Sequence, residues 1–174
     1  MRRMISVLLA AAAFAGCANY SWRPSVPAAM RTVQVPVFRD VSELTETGPV
    51  VTRQLLREFQ REGTFEVLSD GAALEVQGEV VSAKSGQRNA DYKAGSRLHG
   101  GVLTVTAKVS VIDKTRGLVL VDGREYSGDA PYSAQQDVTT AFRDAAGRAA
   151  DDLARRIVDD VRRLDFGVNH GEAK

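Results

Sequence analysis

The sequence predicts an α+β fold: a two-layer sandwich in which a mostly antiparallel sheet of four to five strands carries two helices packed on one face. Three observations predict it. Apolar residues alternate with period two over residues 74–80 and again over 102–112, the mark of strands with one dry and one wet face. Two other segments, 51–59 and 142–164, repeat their apolar residues at helical spacing instead. The chain has 174 residues, 44% hydrophobic and 26% charged, which is one domain's worth of an ordinary globular composition.

The first residues are a targeting segment. Arg2 and Arg3 form a positive region, residues 4–14 are apolar apart from Ser6, and the stretch is too short to span a bilayer. Phe14-Ala15-Gly16-Cys17 follows, with small residues before the only cysteine. This is similar to the bacterial lipobox, although Phe14 stands where Leu is commoner. The resemblance implies a signal peptide over 1–16, cut before Cys17, whose thiol and new amine are then both acylated, with palmitate among the acyl groups. Each buried CH2 is worth about 0.8 kcal/mol, so several acyl chains hold where one would not. Ala18 is not the Asp that marks inner-membrane retention, which implies the outer membrane. Residues 17–30 then read as a lipidated N-terminus and short tether, the thirteen after Cys17 reaching at most about 45 Å.

A first strand is expected over residues 32–38, where Val33, Val35 and Val37 alternate with other residues and Pro36 suits an edge. Thr47-Gly48-Pro49 opens a helix with Thr47 as the N-cap candidate and a proline in the first turn, Val51, Leu55, Leu56 and Phe59 give its apolar face, and Gly63 ends it. A short strand at 65–69 completes a βαβ-like unit. Leu74, Val76, Gly78 and Val80 face one side of the next strand, with Glu75, Gln77 and Glu79 on the other. In the strand at 102–112, Leu103, Val105, Ala107, Val109 and Val111 point inward. Asp113-Lys114-Thr115-Arg116-Gly117 has turn chemistry, and a strand returns over 118–126. Ser133 and Gln136 form a capping-box pattern before a long helix. Its stripe is Phe142, Ala146, Ala149, Leu153, Ile157, Val161 and Leu164, and residues 167–174 read as a flexible tail.

Charge and composition exclude several functions. With 23 basic and 22 acidic residues the formal charge is +1, so no nucleic-acid partner is indicated. One cysteine and two histidines, His99 and His170, leave no evident metal site or histidine-based catalytic centre, and no cofactor motif appears. Lys84 lies two residues from Ser82, but alternating strand positions give that spacing without any catalytic partner.

The ordered set of Cys17 with Tyr20, Val33-Gln34-Val35-Pro36-Val37-Phe38, Gly63-Thr64-Phe65-Glu66-Val67-Leu68 and Ala72-Ala73-Leu74-Glu75-Val76-Gln77-Gly78-Glu79-Val80 resembles the LptE family of lipopolysaccharide-assembly lipoproteins. Arg39-Asp40-Val41 and Ala73 depart from its usual pattern. The resemblance spans residues 17–164 and implies an LptE-like domain over 31–166. It further implies a non-enzymatic subunit at the periplasmic face of the outer membrane, plugging the LptD β-barrel, assisting its assembly and binding lipopolysaccharide. The alternative is another small envelope lipoprotein, such as a peptidoglycan-synthase activator or an ABC-transporter auxiliary lipoprotein. The short tether disfavours the activator, which needs a long, polar span.

Lipopolysaccharide presents phosphates and carboxylates, which ask for convergent Lys and Arg donors. The densest such segment is 82–101, where Lys84, Arg88, Lys93 and Arg97 stand with a single acid, Asp91. These four are the expected lipopolysaccharide-binding residues, with Lys108, Lys114 and Arg116 weaker candidates. The arginines of the last helix alternate with Asp at i,i+3 and i,i+4, the pattern of a salt-bridged wet face.

Overall fold

In the computed structural model, which describes residues 26–44, 46–86, 99–134 and 138–166, the elements run β1 (Thr32–Gln34), β2 (Arg39–Asp40), α1 (Thr47–Glu62), β3 (Glu66–Val67), β4 (Leu74–Gly86), β5 (His99–Asp113), β6 (Leu118–Ala134) and α2 (Val138–Arg162). A 3-10 turn, Ala28–Met30, precedes them. The α+β two-layer arrangement is as expected, and the sheet proves to be mixed. Its order is β3-β1-β4-β5-β6, with β2 also on β4. The long pairs β4·β5 and β5·β6 are antiparallel, whereas the short pairs β1·β3, β1·β4 and β2·β4 are parallel. The parallel pairs arise because α1 carries the chain back between β1 and β3, as in a βαβ unit.

Period two decides which face of the sheet is buried. Leu103, Val105, Ala107, Val109 and Val111 of β5 are all buried, and Lys108 between them is exposed. On β4 the same alternation holds for Leu74, Val76 and Val80 until a register shift between Val80 and Ser82 moves the inward side to Ala83. Helix α2 lies across β5 and β6, and α1 leans on α2 and on β4. Their buried stripes are Val51, Leu55 and Phe59 on one helix and Ala149, Leu153, Ile157 and Val161 on the other. Each fully buried Leu, Ile or Phe contributes about 1.5–3 kcal/mol.

Three local expectations change. The first strand stops at Gln34 instead of running to Phe38, because Pro36 has no N–H for the ladder. The Phe38 N–H leaves the ladder and donates to Thr52 Oγ1 at 2.9 Å, and pairing with β4 resumes only at Arg39. Thr47 does not cap α1 through its side chain; its hydroxyl donates to Leu44 O, and the Gly48 N–H is taken by Asp40 Oδ2 at 2.9 Å. At the other end Gly63 closes α1 in the left-handed conformation, as the sequence indicated. Ser133 is not a helix cap either. It pairs with Gly100 in a β6 that runs eight residues past Tyr126, and Gln136 lies outside the described residues.

Val26 and Met30 are buried in the core, so packing begins before β1. The signal peptide, Cys17 and residues 167–174 lie outside the described residues. Across the sheet, Val33, Leu74, Asp113 and Leu118 stand side by side at one end, and Gly86, Val102 and Pro131 at the other. The thirteen residues of β4 separate these ends by about 40 Å. The chain enters the domain at the first end, and the segment joining β4 to β5 leaves from the second.

Candidate functional site

The second end is the one the sequence marks as basic. After its register shift β4 turns Ala83 inward and Lys84 outward, where Lys84 is well exposed. Its Nζ lies 3.5 Å from Glu43 Oε1, in the connection between β2 and α1. The Glu43 carboxyl is held below its usual pKa, first by its own backbone N–H; desolvation opposes this, and the backbone N–H of Ala83 and then the charge and hydrogen bond of Lys84 add to the lowering. Arg88, Lys93 and Arg97 lie outside the described residues.

Among the described residues the outer face of the sheet carries no helix, and its side chains there are mainly polar. Thr104 Oγ1 donates to Asp129 at 2.6 Å, Lys108 stands 3.6 Å from Glu125, and Arg39 stands 3.8 Å from Glu79. Lys114 bonds Glu75 at 2.9 Å, and Arg116 bonds Asp113. Each of the candidate cations that is described therefore already faces a carboxylate. For Lys84 and Lys108, whose partners are exposed, an arriving anion competes with an acid in an even exchange worth about 0–1 kcal/mol, whereas Glu75 and Asp113 are buried.

On the helix side of the same end, the Tyr132 ring meets that of Phe142 of α2 at a centroid distance of 4.7 Å and a tilt of 49°, and its hydroxyl shares a 2.5 Å hydrogen bond with Ser85. Beside this pair, two adjoining clefts of about 390 and 350 Å³ follow the groove between β6 and α2. Both are lined by Pro131 and Arg148; Tyr132 and Asp144 complete one, and Asp152 and Arg155 the other. Arg148 Nη2 donates to Pro131 O at 2.8 Å, and Asp152 Oδ2 accepts the Asp129 N–H at 3.2 Å. Sequence reasoning set the α2 arginines aside as a salt-bridged face, and Arg155 and Arg156 do bond Asp151 and Asp152. Arg148 differs because its reach to β6 depends on how the helix lies on the strand, which helical spacing does not encode.

Among the described residues no group of three or more His, Cys, Asp or Glu is arranged to hold a metal ion. No described helix is long and apolar enough to cross a membrane.

No curated protein sequence matches the chain. Among solved structures, the Xanthomonas campestris protein XCC0632 is 14% identical, with 79% of this chain and 88% of that one covered at a TM-score of 0.52. The hypothetical protein CT253 of Chlamydia trachomatis is 13% identical over 75% of this chain and 95% of that one, also at a TM-score of 0.52. At such identities the likeness is one of fold. The family model LptE, lipopolysaccharide-assembly, matches residues 30–161, a span running from the turn before β1 to the last turn of α2, and the chain belongs to the LptE family.

Proposed function

We propose that this protein is a non-enzymatic outer-membrane lipoprotein, anchored through acylated Cys17. In this reading it plugs an LptD β-barrel from the periplasmic face, assists its assembly and binds lipopolysaccharide through Lys84, Arg88, Lys93 and Arg97. Membership of the LptE family is the observation that carries the reading. The geometry supports it in two ways. With Val26 already in the core, only eight residues, 18–25, separate the Cys17 anchor from the domain, a span of at most about 30 Å. The basic segment leaves from the opposite end of the sheet, about 40 Å away, so a domain that enters a barrel from its anchored side carries that segment deepest into the lumen. The polar outer face of the sheet suits the water-lined wall of a barrel lumen.

The test is purification of the lipidated chain from its own envelopes in mild detergent, with mass spectrometry of what survives a salt wash. A stoichiometric large outer-membrane β-barrel is the expected result. Recovery of a peptidoglycan synthase or an ABC transporter in its place overturns the barrel assignment.

A further inference from the structure

Helix α2 follows the margin of β6, with Phe142 against Tyr132, Asp152 on the Asp129 N–H and Asp160 on the Tyr126 hydroxyl. The two adjoining clefts lie along the upper part of this line. In the larger one Asp144 and Arg148 stand one turn apart on the helix, the spacing at which a carboxylate and a guanidinium ordinarily pair. That pair is not made. Arg148 reaches across the groove to Pro131 O instead, and among the described residues the exposed Asp144 has neither an ion-pair nor a hydrogen-bond partner. Pro131, Ala141 and the half-buried Tyr132 ring supply the apolar wall beside them.

Contacts already made in the groove exclude three classes of ligand. An extended peptide adding to β6 needs the outward Asp129 N–H and Pro131 O, and Asp152 and Arg148 hold both. A phosphate-rich anion meets more acids than bases, since Asp129, Asp144, Asp151 and Asp152 line the clefts against Arg148 and Arg155. A cation finds one free carboxylate, Asp144, next to a guanidinium, because Asp151 and Asp152 already bind Arg155 and Arg156 and Asp129 accepts from Thr104. What fits is a neutral ligand whose groups both donate and accept. Hydroxyls do both: the Asp144 carboxylate accepts from them, and the Arg148 N–H groups not used on Pro131 donate to them. The C–H face of a pyranose ring suits the wall of Pro131, Ala141 and Tyr132, and about 390 Å³ is a small-ligand volume. We infer that this cleft binds a saccharide, the neutral sugar portion of lipopolysaccharide. The inference rests on the lipopolysaccharide reading above and adds a second contact to it. Tyr132 is joined to Ser85, one residue before β4 ends, so the cleft lies beside the point from which the basic segment departs, and sugars next to the phosphates held there come within its reach.

The experiment uses the full chain in mild detergent and, as probe, the oligosaccharide of lipopolysaccharide stripped of its acyl chains and phosphates. Saturation-transfer NMR is expected to show the sugar protons in contact with the protein, with an affinity unchanged between about 0.05 and 0.5 M salt because the ligand is neutral. Asp144→Ala removes an exposed carboxylate that has no partner among the described residues, so the fold persists, and it is expected to weaken this binding about tenfold. Binding by Asp144→Ala equal to that of the parent overturns the inference. Binding that falls steeply with salt does the same, because charged groups elsewhere then hold the probe. Stronger binding of peptidoglycan glycan strands than of this oligosaccharide overturns the assignment to lipopolysaccharide sugar. A chain that binds intact lipopolysaccharide but not the oligosaccharide overturns this inference alone, whereas one that binds neither overturns the lipopolysaccharide reading with it.

Discussion

The ring of Phe38 occupies the space above Gly78 that a side chain would fill, with a Cβ at position 78 falling inside the ring's contact envelope. Phe38 belongs to the segment that left the sheet after Pro36, and Gly78 lies on the inward side of β4. Gly78→Ala is therefore expected to lower stability by about 1–3 kcal/mol through overpacking. Combined with Phe38→Leu, the same change should cost less than the sum of the two single changes. Urea unfolding of the four proteins measures this, and strict additivity would sink the contact as the cause.

Asp40 acts as the cap that the sequence assigned to Thr47, reaching from β2 to the first turn of α1. Burial by itself would raise its pKa, but hydrogen bonds from Ser42 and from the backbone of Gly48, Ser42 and Thr47 prevail and hold it below the usual carboxylate value. A group depressed in the folded state stabilises fully above its unfolded pKa and loses that contribution as pH falls through its folded one. Asp40→Ala should cost about 1 kcal/mol at pH 7. The difference between the two proteins should shrink below about pH 4. Melting temperatures at pH 7 and pH 3 provide the comparison.

Tyr126 gives the opposite sign. Partial burial, then its bond to Asp160 and the negative charge there, pushes the phenol up from 10 to about 12 despite nearby Arg124. Its contribution is complete below pH 10 and is lost as pH rises from there toward 12. Absorbance at 295 nm should show one of the four tyrosines ionising last, and Tyr126→Phe should remove that component. A variant titration superimposable on the parent would refute the assignment.

Replacing Lys84, Arg88, Lys93 and Arg97 together by Ser is expected to weaken lipopolysaccharide binding, most at low salt, without unfolding the domain. Lys84→Ser alone should do little, because Lys84 is paired with Glu43. Glu43→Gln, which frees that lysine, should strengthen binding slightly. Surface plasmon resonance at two ionic strengths reads all three, and unchanged binding by the fourfold variant would remove these residues from the site.

The parts of the fold that repeat locally were legible in the sequence. Alternation in β5 and the stripe of α2 each concern residues two to four apart, and one buried face imposes them. What was not legible depends on partners far along the chain. The parallel pairing of Arg39–Asp40 with Glu79–Val80 joins residues forty apart, and no local pattern announces it. The run of β6 past Tyr126 exists because β5 reaches back to His99, and the Ser133 to Gln136 spacing imitated a helix start there. The pairing of Lys84 with Glu43 and the contribution of Arg148 to the β6 groove come from tertiary packing alone.

β6 closes one side of the sheet, and a strand of seventeen residues with a bare margin would be a template for another chain. Here Asp152 takes the outward N–H of Asp129, Arg148 takes the outward carbonyl of Pro131, and Pro131 has no N–H to offer. Helix α2 thus withholds from neighbours the hydrogen bonds on which open-ended polymerisation of the sheet would run. Under the anchoring proposed above, copies held in two dimensions meet far more often than in solution, and that safeguard then opposes the turn from crowding to fibre growth.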